Sequence, residues 1–359
     1  MKKIFFLINS LEMGGAERVI TNIFPELSKK FDVTIITLKE GKFYDFDEVK
    51  IESLSKSNSN KSMFLNFPKY VYKIKKIKKL YPEAKVVSFL EIANFVNILG
   101  NKEAVISFRT NLDFFKKSTL KNSIYKFLIR KLYPKAKKII VNSEENRLKF
   151  SKELAMDKNK IFTIYNPFIK DDVKLDDDIL KIINNKIVYV TVGRLIPSKN
   201  PKLLISNFLQ NCKPKDILLI VGDGPEKEKL EYVFNSDKIA FLGKRKCVQA
   251  ILSKSDYFIY ASEVEGFPNT LIEAMFAGLP IITTDFKTGA REIIDPELSF
   301  TKKIKYPYFG PNGCLVSLKN YGQDMVKAFK NLDKIKQEQK SKYLFEKKET
   351  IKKWSLLLK

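Results

Sequence analysis

Residues Asp256 to Thr284, DYFIYASEVEGFPNTLIEAMFAGLPIITT, contain a strand, a loop, a helix and a second strand in one stretch of sequence. The apolar run DYFIYA predicts a short buried strand, and Gly266-Phe267-Pro268 prevents its continuation. A helix is expected to begin near Asn269 or Thr270, because both residue types cap helices, and Gly278-Leu279-Pro280 ends it. A helix that connects two buried strands is typical of a parallel sheet, so this stretch favours an α/β fold.

Two glutamates lie on either side of the predicted helix start. Glu265 is on the loop at the carboxyl end of the first strand, and Glu273 is about one turn into the helix, where it faces either the same crevice or the core. The first turn of a helix has free N–H groups and the positive end of the helix dipole, which together stabilise an anion. The purely structural alternative is that Glu273 is a first-turn carboxylate favoured by the same dipole.

The composition limits the chemistry available to this chain. Its 359 residues, 44% of them hydrophobic, suffice for two domains of ordinary size. The absence of histidine excludes His-ligated metals, Ser-His and Cys-His nucleophile pairs and a histidine general base. The three cysteines lack metal-site spacing, which favours a reducing cytoplasm. The opening run KKIFFLI is interpreted as a buried strand and not as a signal peptide, and no apolar run approaches the roughly 20 residues of a membrane span.

The net charge of +25 indicates an anionic partner: nucleic acid, an acidic membrane or a phosphorylated ligand. Between residues 61 and 138 there are 19 basic and 4 acidic residues, so much of the excess is local. Residues Phe67 to Tyr81 have the apolar spacing of an amphipathic helix whose other face is mostly lysine. This pattern fits a helix exposed to water, a helix on a membrane surface or, less well, a nucleic-acid contact, since no recognised RNA or DNA motif is present.

Two further strand ends have phosphate-binding character. The strand Lys3 to Ile8 leads through Gly14-Gly15 into a helix expected from residue 16 to residue 30, an arrangement that either cradles phosphate or packs a helix closely on a strand. The strand Ile187 to Val192 is followed by Arg194 and Lys199. These two positive charges can neutralise a diphosphate, although single basic residues in loops are usually only surface residues.

The sequence around the two glutamates resembles the retaining glycosyltransferases of family 4, with Glu-Gly-Phe-Pro-Asn at the first and Glu-Ala-Met-Phe-Ala-Gly-Leu-Pro at the second. Gly-Gly-Ala-Glu-Arg near the start of the chain, and Val-Gly-Arg-Leu with a lysine five residues after the arginine, fit the same family. The resemblance implies that Glu265 contacts the donor sugar and that Glu273 holds the ribose. It also implies that Arg194 and Lys199 stabilise the leaving diphosphate.

The resemblance assigns two further groups of residues. Arg109, in Ser107-Phe108-Arg109-Thr110-Asn111, takes the place of a histidine that touches the sugar in many members; an ordinary surface arginine is the alternative. Gly15 is expected near the diphosphate and the acceptor, and Gly243 with Lys244 near the nucleobase. The expected catalytic residues are Glu265, Arg194, Lys199 and Arg109, and the expected donor-binding residues are Gly14, Gly15, Gly222, Gly243, Lys244, Phe267, Pro268, Asn269, Thr270, Leu271 and Glu273.

The expected fold is α/β of the GT-B type, with two doubly wound Rossmann-like parallel-sheet domains facing a cleft. The domains are expected over residues 1–166 and 167–333, and a C-terminal helix over 334–359 is expected to return to the first domain. The resemblance implies a metal-independent transferase without a cofactor that uses a nucleotide-diphosphate sugar, with UDP as the expected nucleotide.

The expected acceptor is a growing lipid-linked glycan, reached from the cytoplasmic face of a membrane through the basic N-terminal domain, and no nucleic-acid partner is expected. A non-catalytic scaffold that binds sugar nucleotides, or a basic nucleic-acid-binding protein, stays open as an alternative.

Overall fold

The computed structural model describes residues 1–12, 15–41, 50–56, 59–112, 119–335, 337–338 and 341–359, with only the backbone of residues 60–62 and 121. Gly14 lies outside the described residues. The chain forms two compact units, one of Met1–Pro167 with Glu346–Lys359 and the other of Phe168–Phe345.

The first unit is built on one parallel sheet of seven strands. Its strands are β1 (Lys3–Ile8), β2 (Asp32–Thr37), β3 (Lys50–Ser53), β4 (Lys85–Phe89), β5 (Val105–Phe108), β6 (Lys138–Val141) and β7 (Ile161–Thr163). The spatial order is β3-β2-β1-β4-β5-β6-β7, so the direction of winding reverses between β1 and β4. Its helices before the chain leaves this unit are α1 (Gly15–Ser28), α2 (Asn60–Leu65), α3 (Phe67–Leu80), α4 (Glu91–Gly100), α5 (Leu120–Leu132) and α6 (Glu144–Glu153).

The second unit repeats this architecture. Its strands are β8 (Ile187–Val192), β9 (Asp216–Val221), β10 (Ile239–Gly243), β11 (Tyr257–Tyr260), β12 (Ile281–Thr284), β13 (Tyr308–Gly310) and β14 (Gly313–Val316). The order is β10-β9-β8-β11-β12-β14-β13, parallel except for β13, and the winding reverses between β8 and β11. Its helices are α7 (Asp177–Ile183), α8 (Pro201–Asn211), α9 (Lys227–Val233), α10 (Val248–Ser253), α11 (Asn269–Phe276), α12 (Ala290–Ile294) and α13 (Tyr321–Phe329).

The two doubly wound parallel sheets confirm the predicted α/β fold. The buried strands were recognisable because both faces of a parallel sheet are covered by helices, which makes each strand a continuous apolar run. The short strand β3 was not predicted, since its side chains are mostly exposed and leave no apolar run. The antiparallel edge strand β13 was not predicted either, because it begins directly after Pro307 and is only three residues long.

The structure shows where the apolar face of helix α3 lies, which its amphipathic sequence pattern left open. Tyr70 and Ile74 are fully buried in a core cluster of the first unit, and Phe67 packs against the same cluster. Lys75, Lys76 and other lysines of this helix face the solvent. The apolar face of α3 therefore belongs to the core.

The last helix, α14 (Lys347–Leu358), completes the core of the first unit. Trp354 is fully buried there, with its ring centroid 6.3 Å from that of Phe6 and 5.9 Å from that of Phe89. The helix is shorter than the expected 334–359 because Ile335 and Phe345 are anchored in the second unit, where their side chains are buried.

Candidate functional site

The loops that follow β8, β9 and β10 are held together through glycine backbone. Gly222 has φ 139°, and a Cβ there would lie 1.9 Å from the carbonyl oxygen of Gly193. The Gly222 N–H donates to the carbonyl of Gly243 over 2.8 Å, and the Gly193 N–H donates to that of Val221 over 3.0 Å. No side chain fits at Gly222, so this glycine fixes the close approach of the loops at the carboxyl edge of the sheet.

The loops after β8 and β11 flank the point where the winding of the second sheet reverses, which is where open α/β sheets bind their ligands. Lys199, from the first loop, forms an ion pair with Oε1 of Glu265, from the second. The two side chains are only 15% and 13% exposed. The structure therefore brings together two residues that lie 66 positions apart, for which the family resemblance implies contacts with the diphosphate and the sugar.

Tyr260, the last residue of β11, completes this cluster and was missed from the sequence. Its hydroxyl donates to Oε1 of Glu265 over 2.6 Å, and the Lys199 Nζ lies 5.9 Å from the centroid of its ring. Burial, and then the charge of Glu265, raises the pKa of the Tyr260 phenol well above its ordinary value, so it stays a hydrogen-bond donor at neutral pH. The sequence signal that could have identified Tyr260 is a hydroxyl group at the carboxyl end of an otherwise apolar strand.

The loop that carries Glu265 is fixed by hydrogen bonds from the segment after β12. The Glu265 N–H donates to the Lys287 carbonyl over 2.9 Å, and the Thr288 hydroxyl donates to the Gly266 carbonyl over 2.7 Å. The position of the Glu265 carboxylate is thus set by the fold and not only by its partner Lys199.

The loop that carries Lys199 is tied to the same region. Asn200 has the left-handed backbone (φ 49°), and its side-chain amide donates to the Ala261 carbonyl over 3.0 Å. The Glu263 N–H donates to the Ser198 carbonyl over 2.9 Å. Asparagine tolerates this conformation better than most residues, which explains its presence between Lys199 and the start of α8.

Arg194 and Lys244 project from neighbouring loops with exposed side chains. Arg194 follows β8 directly, and the adjacent Leu195 N–H anchors that loop to the Asp223 carbonyl over 3.0 Å. Gly243, before Lys244, has the left-handed φ of 65°. The loops after β8 and β10 therefore each carry one exposed cation at the carboxyl edge of this sheet.

The start of α11 differs from the prediction in its capping. The helix begins at Asn269 with Pro268 as N-cap and without a side-chain cap, so neither Asn269 nor Thr270 has the expected capping role. Phe267 is buried, and a Cβ on Gly289 would lie 2.8 Å from its ring. Leu271 is fully buried in the first turn, and its N–H donates to the Pro268 carbonyl over 3.2 Å. What this helix start offers an anion is therefore the positive end of its dipole.

Glu273 is 6% exposed and lies on the side of α11 that lines a cavity of about 500 Å³. Gln249 of α10 and Phe276 line the same cavity, as does Phe168, whose ring stacks on that of Phe276 at 3.9 Å between centroids. The cavity has the size of a small-molecule site. Glu273 therefore borders this cavity, and Glu265 forms the ion pair with Lys199.

Arg109, in the first unit, has several partners in its own unit. Its guanidinium donates to the Ser107 hydroxyl over 2.8 Å and to the Asn166 side-chain oxygen over 2.7 Å, and it lies 5.9 Å from the Trp354 ring centroid. Burial lowers its pKa to about 9, so it remains charged at neutral pH. One of its nitrogens, Nη2, is buried without a hydrogen bond to another described group. Arg109 therefore connects β5 to the segment after β7 through Nε and Nη1.

Gly15, the first residue of α1, has open space where a Cβ would be. Close packing of the helix on the strand therefore does not explain this glycine, whereas Gly14 is not described. Among the described residues, no group of three or more cysteine, aspartate or glutamate side chains is arranged to hold a metal ion.

Sequence profiles of two families match the chain. The family described as Glycosyltransferase Family 4 matches residues 13–170, and that described as Glycosyl transferases group 1 matches residues 172–304. The N-acetylgalactosamine-N,N'-diacetylbacillosaminyl-diphospho-undecaprenol 4-alpha-N-acetylgalactosaminyltransferase of Campylobacter jejuni is 30% identical over 94% of this chain and 95% of its own. The UDP-Gal:alpha-D-GlcNAc-diphosphoundecaprenol alpha-1,3-galactosyltransferase of Escherichia coli is 29% identical over 76% of each chain.

Solved structures share the fold across the whole chain. Anabaena Alr3699/HepE in complex with UDP has a TM-score of 0.75 at 19% identity and covers 100% of this chain and 99% of its own. The lipopolysaccharide outer core galactosyltransferase WaaB has a TM-score of 0.73 at 21% identity and covers 98% of both chains. These likenesses confirm the GT-B fold, and with the family profiles and the Campylobacter relative they show that the chain belongs to the family 4 glycosyltransferases.

Proposed function

We propose that this glycosyltransferase is retaining and metal-independent, and that it moves a hexose or N-acetylhexosamine from a UDP-sugar to a growing lipid-linked glycan. The observation that carries the proposal is the Lys199, Glu265 and Tyr260 cluster at the point where the winding of the second sheet reverses. In this cluster Lys199 is a cation that can stabilise a leaving phosphate, and Glu265 is a carboxylate that can accept hydrogen bonds from sugar hydroxyls. Both side chains are largely buried.

The donor proposal assigns one part of the nucleotide sugar to each loop. Lys199 and Arg194 hold the diphosphate, and the positive end of the α11 helix dipole, near Thr270, adds to the positive potential. Glu265 accepts hydrogen bonds from the sugar. Glu273 holds the ribose, and the nucleobase lies against the backbone at Gly243 and Lys244. UDP as the nucleotide is supported by the name of the Escherichia coli relative and by the UDP complex of Alr3699/HepE.

The proton of the acceptor hydroxyl passes to the leaving phosphate on the same face of the sugar, as the family resemblance implies. A chain without histidine has no imidazole for this step. The protein's own contribution is then to position the reactants and to stabilise the charge that grows on the diphosphate. The positive charges of Arg194 and Lys199 can neutralise it without a metal ion.

The proposed acceptor is a glycan on a lipid diphosphate, supported by the names of the Campylobacter and Escherichia coli relatives. No helix in the described part of the chain has the length and apolar character needed to cross a bilayer. We infer that the enzyme works as a peripheral protein at the cytoplasmic face and that the basic first unit meets the anionic lipid there.

The test is transfer from UDP-glucose, UDP-galactose, UDP-N-acetylglucosamine and UDP-N-acetylgalactosamine to an undecaprenyl-diphosphate-linked oligosaccharide, with and without excess chelator. We expect UDP release that depends on acceptor, a product with an α-linkage in NMR spectra and an unchanged rate in chelator. A β-linkage would exclude the retaining mechanism, and a loss that Mg²⁺ or Mn²⁺ restores would exclude metal independence. Binding of a sugar nucleotide without release would identify a scaffold instead.

A further inference from the structure

Helix α5 has apolar side chains on two opposite faces. Its inner face carries Tyr125, Ile129 and Leu132, which pack on a core cluster of the first unit. Its outer face carries Leu120, Ile124 and Phe127, which are 80%, 50% and 59% exposed. The spacing i, i+4, i+7 places these three side chains in one stripe along the helix. A stripe of this size on the water side needs an explanation beyond the stability of the unit.

Helix α2 adds two more exposed apolar side chains, Phe64 at 53% and Leu65 at 82%. Met63 of α2 is buried in the core cluster against which Tyr125 of α5 packs. The inner sides of α2 and α5 therefore contribute to one core cluster. We call their exposed apolar residues, Phe64, Leu65, Leu120, Ile124 and Phe127, the α2–α5 patch.

The surroundings of the patch are positively charged. The sequence from residue 119 to residue 138 contains seven lysines and arginines and no aspartate or glutamate. Arg130 and Lys131, in the last turn of α5, are exposed, and Lys131 lies on the same side of the helix as Phe127. Apolar side chains bordered by cations match a bilayer interface that has anionic headgroups above acyl chains.

A second copy of the chain fits this patch less well. A symmetric dimer through α5 would bring Arg130 and Lys131 of one copy towards those of the other, with no carboxylate between residues 119 and 138 to compensate.

We propose that the α2–α5 patch enters the headgroup region of an anionic bilayer while Arg130 and Lys131 bind lipid phosphate. The inference rests on the proposed lipid-linked acceptor. It assigns the membrane contact to α2 and α5 and not to α3, whose sequence pattern also fits a membrane surface. The apolar face of α3 is used in the core, so its lysines attract the bilayer only at a distance.

The experiment measures sedimentation of the full-length protein with vesicles of phosphatidylcholine, alone or mixed with phosphatidylglycerol. The test variant is Ile124→Ser/Phe127→Ser. The matched control is Tyr72→Ser/Leu80→Ser, which removes two apolar side chains of α3 that are 68% and 62% exposed. We expect the α5 variant to bind mixed vesicles roughly tenfold to a hundredfold more weakly, since two inserted side chains are lost, and the α3 variant to bind within about threefold of the unaltered protein.

Transfer assays separate this inference from the proposed function. The α5 variant should glycosylate a short-chain, water-soluble acceptor at the normal rate and lose rate only with the long-chain acceptor in vesicles. If the unaltered protein transfers sugar to neither acceptor, the proposed function is refuted, whereas the membrane inference is still decided by the vesicle experiment. Equal vesicle binding by both variants, or a concentration-dependent dimer in sedimentation velocity that only the α5 variant abolishes, would overturn the membrane assignment.

Discussion

The pairing of Lys199 with Glu265 makes a prediction about nucleotide affinity that the separate roles of the two residues do not make. The ammonium proposed to hold the diphosphate already has a carboxylate partner. A diphosphate must therefore compete with Glu265 for Lys199. Glu265→Gln removes the competing charge and keeps the size of the side chain, so it should strengthen UDP binding while it lowers sugar transfer.

The size of the effect follows from the burial of the pair. Two unit charges about 4 Å apart attract each other by about 4 kcal/mol at an effective dielectric constant of about 20, which suits side chains as little exposed as these. Lys199 can keep part of its contact with Glu265 while it binds phosphate, so only a fraction of that attraction is recovered. We expect about 1.4 kcal/mol, which corresponds to UDP binding about tenfold more tightly.

Isothermal titration calorimetry with UDP checks this prediction in four variants. Lys199→Met should weaken binding, and Lys199→Met/Glu265→Gln should resemble Lys199→Met alone because the effect of Glu265 acts through Lys199. Glu263→Gln is the matched control, since this exposed carboxylate lies on the same loop. Weaker UDP binding by Glu265→Gln, or a gain of affinity in the double variant, would refute the competition.

Three further predictions concern stability. Gly222→Ala should lower the free energy of unfolding by at least about 2 kcal/mol, because there is no space for its Cβ. Gly15→Ala should leave the melting temperature within a few degrees and lower only sugar transfer, since a Cβ there meets open space. Equal decreases in melting temperature for the two variants in calorimetry would contradict this prediction. Lys347 and Lys29 lower the pKa of Glu26 to about 2, so this carboxylate stabilises the fold above its ordinary pKa, and the effect is lost as pH falls from about 5 to 2. The difference in melting temperature between the unaltered protein and Glu26→Gln should therefore shrink over that range, and a constant difference would argue against the pairing. Arg109→Lys keeps the charge but not the two directed hydrogen bonds, and should lower stability by about 1 to 3 kcal/mol in urea unfolding; an unchanged midpoint would show that these bonds contribute nothing.

The strands, the glycine turns and the loop positions of Glu265, Arg194 and Lys199 were predictable because their signals are local. An apolar run followed by glycine or proline specifies a buried strand end without reference to the rest of the chain. Once two such ends belong to one parallel sheet, the charges that follow them must share an edge. The assignment of ligand roles at that edge stays a prediction.

The contacts that the sequence did not reveal are those between distant segments. The hydroxyl of Tyr260 gains its role only when the loop of Glu265 folds back over the end of β11. Arg109 finds Asn166 and Trp354 through tertiary structure alone. The outer stripe of α5 was not distinguished either, because apolar residues on two faces of a helix look like an ordinary buried helix until burial is measured.

The return of the last 14 residues to the first unit has a consequence for synthesis on the ribosome. Trp354 and Leu358 belong to the core cluster that contains Phe6 and Phe89, so that core is complete only when the chain has been made to its last helix. Residues 168–345 must be translated first, which takes about 10 to 40 s at bacterial elongation rates. During that interval the nascent first unit leaves uncovered the apolar surface that Trp354 will cover. We therefore expect chaperones to bind this surface, whereas the second unit is contiguous and can fold as soon as it leaves the exit tunnel.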